Sequence, residues 1–467
     1  MTTSPIIVWF RYDLRLSDNP ALVAAIKTGA PILPVYILDT DKNAPWKIGA
    51  ASRVWLHHSL LELQKSLGGR LVFGQGHPID ILHQLISQIG VRAVFWNRCY
   101  EPHLIERDKK IKATLIKQGV HVESFSGNLL YEPWTISKSD GTPYRVFTPF
   151  WQKGCHAAPP PPLTDLLPTR TILSALAERT VLLSSGSELT SLSPSIDHLG
   201  LLPARPRWDV PVISHWQPGE AGAQKRFQNF LDHGLRGYKQ DRNRPDLENV
   251  SRLSPHLHFG EISVHQIYHA VNFIAETDPG QRSDADCFLS ELGWREFSHH
   301  LLYHFPTLPE KPLQAQFNNF PWIEDQDAYT SWTRGMTGVP IVDAGMRELW
   351  ETGYMHNRVR MIVGSFLVKN LLTHWRKGED WFWDTLFDAD LANNAASWQW
   401  IAGCGADAAP YFRIFNPELQ ASKFDPDGTY IRRWVPEFGT AAYPKPKLEH
   451  IAARNRALAA LKHIQSG

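Results

Sequence analysis

IIVWFRYDLRLSDNP, residues 6–20, decides how the first part of the chain is read. Its five opening residues are branched or aromatic, the composition of a buried strand, and they run into a charged loop that ends at Pro20. Four further short runs have the same character: ILPVYI (32–37), RLVFG (70–74), RAVFW (92–96) and VHVESF (120–125). They alternate with helical patterns such as SRVWLHHSLLELQKSL and HPIDILHQLISQIG. Strand and helix in turn, at this spacing, predict a doubly wound parallel sheet wrapped by helices over residues 1–130. A nucleotide-binding sheet would place G-x-G-x-x-G after its first strand, and RYDLRLSDNP contains no glycine. The G-x-G at 74–76 lacks the third glycine, so the main chemistry is expected further along.

From 131 to 205 the text is rich in Pro, Ser and Thr, with PPPP at 159–162, and reads as a connecting segment. Helical periodicity then takes over in AGAQKRFQNFLDHGL, SVHQIYHAVNFIAE, ADCFLSELGWREFSHHLLYHF, VPIVDAGMRELWETG and MHNRVRMIVGSFLVKNLLTHW. Residues 206–467 are therefore expected to form an all-α domain, and the fold class is α/β plus all-α.

The 467 residues are 43% hydrophobic and 20% charged, ordinary for a globular protein with sizeable cores. MTTSPIIVWF lacks the apolar core of a signal peptide, and no stretch is long enough to span a bilayer, so a cytoplasmic protein is expected. The formal net charge is +1, so any affinity for nucleic acid must come from a local patch. Lys225 to Arg252, with seven Lys/Arg against four Asp/Glu, is the candidate. Four scattered cysteines show no metal or disulfide spacing. Eighteen tryptophans exceed what core filling needs and point to flat aromatic partners.

Three motifs could carry chemistry. In ELGWREF, Glu291, Trp294 and Arg295 stand at i, i+3 and i+4, one helix face carrying a carboxylate, an indole and a guanidinium. In MHNRVRM, Asn357 and Met361 share a face; an amide mid-helix is unfavourable, and beside a polarizable thioether it suits a base-like ring. DADLANNAASWQW, 388–400, sets two carboxylates and two amides among small residues that let backbone approach a bound ring. Its D-x-D start resembles a calcium loop, but position 392 is Ala and no glycine follows where that loop turns. His300 and His304 at i, i+4 find no third metal ligand, and the absence of G-x-S-x-G argues against a covalent hydrolase.

WFRYDLRLSDNPAL, SRLSPHLHFGEIS, ELGWREF, TGVPIVDAGMRELWETGYMHNRVRM and DADLANNAASWQWIAGCGADAAPYFRIFNP together resemble the photolyase/cryptochrome family, and within it bacterial enzymes that repair cyclobutane pyrimidine dimers. The resemblance covers almost the whole chain. It implies an antenna domain, a linker, and a helical domain that holds a U-shaped FAD, with light driving an electron from the reduced flavin to a dimer flipped out of UV-damaged DNA. The antenna is either methenyltetrahydrofolate or a deazaflavin; EPHLIERDKK does not choose, and folate is preferred.

Carried over residue by residue, the resemblance assigns the flavin to Tyr238, Ser251, Arg252, Leu253, Ser254, Phe288, Glu291, Arg295, Arg360, Asp388, Ala389, Asp390 and Asn394. Tyr238 and Ser251 to Ser254 would hold its phosphates at a helix start, Asp390 would face the ring's polar edge, Asn394 its N5, and Arg360 would pair with Asp388. Trp398, Trp375 and Trp322 match an electron relay. Trp294 and Trp400 match the walls of a lesion pocket, with Glu291 and Asn357 on the base edges and Met361 against the dimer. Arg242 and Arg358 would grip flanking phosphates. Val250 and Phe288 depart from the family's usual Thr and Trp.

A cryptochrome-type photoreceptor would use the same flavin without repair; such members often carry a long tail, and this chain stops soon after PEFGTAAYPKPK. Repair of six-four photoproducts leans on a His pair at the positions of Asn357 and Met361, and neither is His. A flavin dehydrogenase would need a nicotinamide fingerprint, which is missing. A monomer without an obligate protein partner is expected.

Overall fold

The computed structural model describes residues 4–158, 163, 167, 169–179, 192–407, 412–446 and 448–465; the proline run at 159–162 lies outside them. A six-stranded sheet is built from β1 (Ile6–Phe10), β2 (Ile32–Asp39), β3 (Val72–Gly76), β4 (Ala93–Asn97), β5 (His121–Phe125) and β6 (Leu192–Ser193) in the order β5-β4-β1-β2-β3-β6. The first five are parallel; β1 sets Ile6 against Ile32 on one side and Ala93 on the other. Side chains alternate across a strand, so β1 feeds two cores. Ile6, Val8 and Phe10 pack with Leu22 of α1 (Pro20–Lys27) and Val54 and Leu60 of α2 (Ala50–Ser66). Ile7 and Trp9 pack with Leu82 and Leu85 of α3 (Pro78–Ile89) and Ile111 and Leu115 of α4 (Pro102–Lys117). Helices cover both faces, the doubly wound arrangement. Each branched side chain buried this way contributes about 1.5–3 kcal/mol.

Part of the Pro/Ser/Thr-rich segment belongs to this domain's structure. β6 pairs antiparallel with β3, and the Thr169–Arg179 helix sends Ile172 and Leu176 into the core beneath β1. Gly74 makes room for that edge: a Cβ there would stand 3.1 Å from Ile81 and 3.2 Å from Leu192. The G-x-G of β3 thus has a packing reason.

The loop RYDLRLSDNP folds into a polar knot. Asn19 caps α1 by accepting from the Leu22 N–H, while its own amide donates to the carbonyls of Asp13 and Arg15. Buried Arg15 donates to the carbonyls of Asp18, Gly127 and Gly260, the last belonging to the helical domain. Gly260 comes so close that a Cβ would lie 2.0 Å from the Tyr12 carbonyl oxygen, so the domains meet here backbone to backbone.

The helical domain has two cores, and the Leu391–Ala402 helix joins them. Leu391, Ala392 and Ala395 pack with Phe227, Phe288 and Leu292, whereas Trp398, Ile401 and Ala402 pack with Trp332, Ile362 and Trp375. Within DADLANNAASWQW the alanines from Ala392 to Ala396 therefore face one core, and Trp398 and Trp400 the other.

Candidate active site

Helix Leu391–Ala402 begins at Asp390, whose carboxylate accepts from the Asn393 N–H at 2.7 Å. Two residues earlier, Asp388 is buried and takes a two-pronged bond from Arg360, at 3.1 and 2.8 Å. Ser254 donates to the same carboxylate at 2.5 Å, and Ala389 between the two acids is buried. This joins the DAD run to the S-R-L-S run and to the Asn357–Ser365 helix. The phosphate-binding expectation meets a modest helix: Ser254–His258 is five residues long, Leu253 is buried at its cap, and Ser251 accepts from the Leu253 N–H. Arg252 occupies the left-handed region at φ 50°, a conformation disfavoured without a local constraint.

Positive charge is concentrated around His356. This buried imidazole caps the Asn357–Ser365 helix by accepting from the Arg358 N–H at 3.2 Å. Its pKa is pushed down to about 3, by burial first and then by Arg252, Arg360, Arg358 and Arg242. Since Nδ1 accepts, the neutral ring carries its proton on Nε2, and that buried nitrogen has no partner. Arg252 and Arg360 both lie 5.2 Å from the Tyr354 ring. Asn249, next to the S-R-L-S run, has both ends of its buried amide unpartnered.

Asn394, buried, donates to the Glu379 carbonyl at 3.0 Å, which leaves its oxygen as the acceptor end. The Glu379 carboxylate is fully buried with neither oxygen bonded, and burial holds its pKa well above the ordinary value.

Asp390 and Arg295 sit apart from the arginine cluster. They line a polar cavity between the domains with Tyr12, Glu101, His258 and His299. Burial would raise the Asp390 pKa, but the charge and hydrogen bond of His299, 3.3 Å away, outweigh it and hold the carboxyl below the usual range; the same contact raises His299 against its own burial. The single face expected for Glu291, Trp294 and Arg295 splits by partner. Arg295 pairs with Glu296 at 3.1 Å, Glu291 with Arg242 at 2.5 Å, and Trp294 stacks on Phe147 at 3.8 Å with planes 11° apart. Helix Arg282–His304 runs against both domains, so a quarter turn changes the neighbour.

Asn357 is corrected in position: it is the first residue of its helix, exposed beside its His356 cap, so the mid-helix penalty argued for it does not arise. Met361 is half-buried one turn on. Arg358 donates to the Asn243 side chain at 3.1 and 2.7 Å and lies in the field of Arg242 and Glu291. Tyr238 and Phe288 are buried with ring centroids 5.4 Å apart, and Arg242 lies 5.6 Å from the Tyr238 ring. Trp400 is half-buried, with Arg413 at 5.8 Å. Of the basic stretch, Arg236 is paired with Asp278 and Arg244 with Asp246. His300 and His304 share the Pro133 carbonyl.

Trp398 and Trp375 are buried and Trp322 half-buried. Trp398 packs on Gly378, where a Cβ would stand 2.1 Å from its ring, and Trp375 lies one turn earlier on that helix.

The family model described as "DNA photolyase" matches residues 6–167, and that described as "FAD binding domain of DNA photolyase" matches residues 288–442. The deoxyribodipyrimidine photo-lyase of Agrobacterium fabrum is 45% identical over 100% of this chain and 99% of its own. The chain belongs to the photolyase/cryptochrome family. Cryptochrome-1 of Arabidopsis thaliana is 38% identical over 92% of this chain and 62% of its own length. A crystal structure of a bacterial class III photolyase from Agrobacterium tumefaciens superposes with a TM-score of 0.88 at 45% identity, covering 100% of this chain and 99% of that one.

The residues present fit FAD. An unpartnered His356 Nε2–H among arginines calls for an anionic oxygen such as a phosphate's. The idle Asn249 amide can both donate and accept, and the Asn394 oxygen can accept from a ring N–H. Sequence reading missed His356, Asn249, Glu379, Phe147 and Gly378. Only Gly378, a glycine inside a helical pattern, carried a visible signal.

Proposed function

We propose that the protein repairs cyclobutane pyrimidine dimers in UV-damaged DNA under blue light, as a monomer in the cytoplasm, with FAD as its resident cofactor. FAD, bound and reduced, supplies the light-absorbing one-electron donor. The chain's residues position it and exclude water. Arg252, His356 and the S-R-L-S run hold the phosphates, and Tyr238 and Phe288 bound the cavity on the side of helix Arg282–His304. Asp388, fixed by Arg360 and Ser254, closes the pocket beside the ring, while Asn394 offers its oxygen to N5. Asp390 and Arg295 act on the ring's polar edge from the interdomain cavity. Trp398, Trp375 and Trp322 relay electrons inward to restore the reduced state. Residues 1–130 hold the antenna, methenyltetrahydrofolate or a deazaflavin, 131–205 link the domains while lending the Thr169–Arg179 helix and β6 to the sheet domain, and 206–467 carry the chemistry.

The observation that carries the reading is the assembly of Arg242, Glu291 and Arg358 from three separate helical segments into one charged group. Trp294 follows Glu291 by one turn, and exposed Asn357 adjoins Arg358. Such a face reads a polar base edge, stacks a ring and meets phosphates. Asn357 and Met361 contact the dimer, and Trp400 forms the second wall.

The test is to incubate the flavin-loaded protein with a dimer-containing oligonucleotide and a reductant, in the dark and under blue light. Light-dependent loss of the dimer is expected. Photoreduction without loss of the dimer would move the chain to the photoreceptor branch, and absence of both would reject the reading.

A further inference from the structure

At the outer end of the relay a third ring lies against both indoles. Among the described residues no ring contact joins Trp322 to Trp375 directly. Between them lies His374, its ring 5.1 Å from Trp322 and 5.6 Å from Trp375, with the latter planes 28° apart. His374 is held there by its cap: Nδ1 accepts from the Arg376 N–H at 3.2 Å, where the Trp375–Thr385 helix starts. A nitrogen that accepts carries no proton, so the cap fixes the neutral form with hydrogen on Nε2. The surroundings act the same way. Burial, then Arg376 and Lys377, disfavour a second proton, and Glu324, which favours one, is ion-paired to Lys377.

We propose that His374 is a neutral aromatic bridge across which an electron passes from Trp322 to Trp375. The idea rests on the relay assigned above. One electron leaves Trp322 and fills the vacancy on Trp375, and His374 neither gains nor loses an electron or proton. Trp322, half-buried, is refilled by one electron from a dissolved thiol; the light-excited flavin is the terminal oxidant. Neutrality matters because each indole carries positive charge in turn. An imidazolium between them would repel that charge from both sides.

Two substitutions separate the ring from the cap. His374→Asn keeps a good helix cap and removes the aromatic ring; His374→Phe keeps a ring and removes the cap. The readout is the rate at which blue light bleaches oxidised flavin in the full-length, flavin-loaded protein with excess thiol, with transient absorption following oxidised tryptophan. His374→Asn is expected to slow bleaching at least about tenfold, a barrier change of about 1.4 kcal/mol, and His374→Phe to stay within about twofold of the parent despite a lower melting temperature. If Trp375→Phe and Trp322→Phe are slow but His374→Asn is as fast as the parent, the bridge is wrong and the relay stands. If both His374 variants are slow, an aromatic ring at this position does not suffice to carry the electron, and the proposal fails. If Trp375→Phe is itself fast, the relay falls and the bridge with it.

Discussion

Two arginine-and-aromatic clusters, one in each domain, differ in charge balance. In the α/β domain Arg11 lies 4.9 Å from Trp9 and 5.8 Å from Trp96, donates to Asn97 and pairs with Asp108, while Arg107 pairs with Asp39 and Asp108. Guanidinium and carboxylate answer one another, so this cluster is neutralised from within. In the helical domain Arg242, Arg252, Arg358 and Arg360 surround one imidazole, and the carboxylates bonded to them are Asp388 and Glu291. Surplus charge of one sign in a buried place calls for a ligand of the other sign. The first cluster is structural, and the second is built for a visitor.

Breaking one carboxylate in each cluster tests that contrast with the largest effects. Asp388→Ala and Asp108→Ala each strand a largely buried arginine, at a cost of about 3–5 kcal/mol in urea unfolding. Asp388→Ala is also expected to lose bound flavin by absorbance, while Asp108→Ala keeps it. Gly378→Ala drives a methyl into the Trp398 ring; overpacking of this kind costs about 1–3 kcal/mol. Calorimetric melting should show that loss, and the variant should photoreduce more slowly than the parent. Trp294→Ala should weaken binding of dimer-containing DNA by about 1–3 kcal/mol in a fluorescence titration and leave flavin content intact. Loss of flavin in that variant would reassign Trp294 to the cofactor.

The smallest effect lies in pH dependence. The unfolded chain takes up a proton at His356 near pH 6.5, whereas the folded protein refuses it until about pH 3, so the unfolded state binds more protons between the two and stability falls as pH falls through that window. The slope from one such group is at most about 1.4 kcal/mol per pH unit. His356→Asn, which keeps the cap, should flatten stability between pH 6 and pH 5 by about 1 kcal/mol relative to the parent.

β1, β2 and β4 were legible because strands buried on both faces read as apolar runs, whereas the edge strand β5, with His121 and Glu123 exposed, was legible from its β-branched and aromatic residues. The Thr169–Arg179 helix and β6 were not, since TRTILSALAER and LS are embedded in Ser, Pro and Thr. The polar residues of the site could be named from their motif, but their partners could not. Arg295 turns toward the other domain's cavity, and no spacing rule within one helix reports that. Asn357 looked like a mid-helix amide because histidine is an unusual cap, a device that His374 repeats. Glu379 reads as a surface residue of WRKGEDWF, yet its helix packs on Leu391–Ala402 through Gly378 and Trp398 and through the Asn394 amide, and its side chain is buried.

Calorimetric titration of flavin-depleted protein with FAD and with riboflavin, at low and high salt, puts the surplus charge to the most direct trial. FAD should bind far more tightly than riboflavin, and its advantage should shrink as salt rises. Equal affinity for the two, insensitive to salt, would contradict a phosphate role for the arginines around His356.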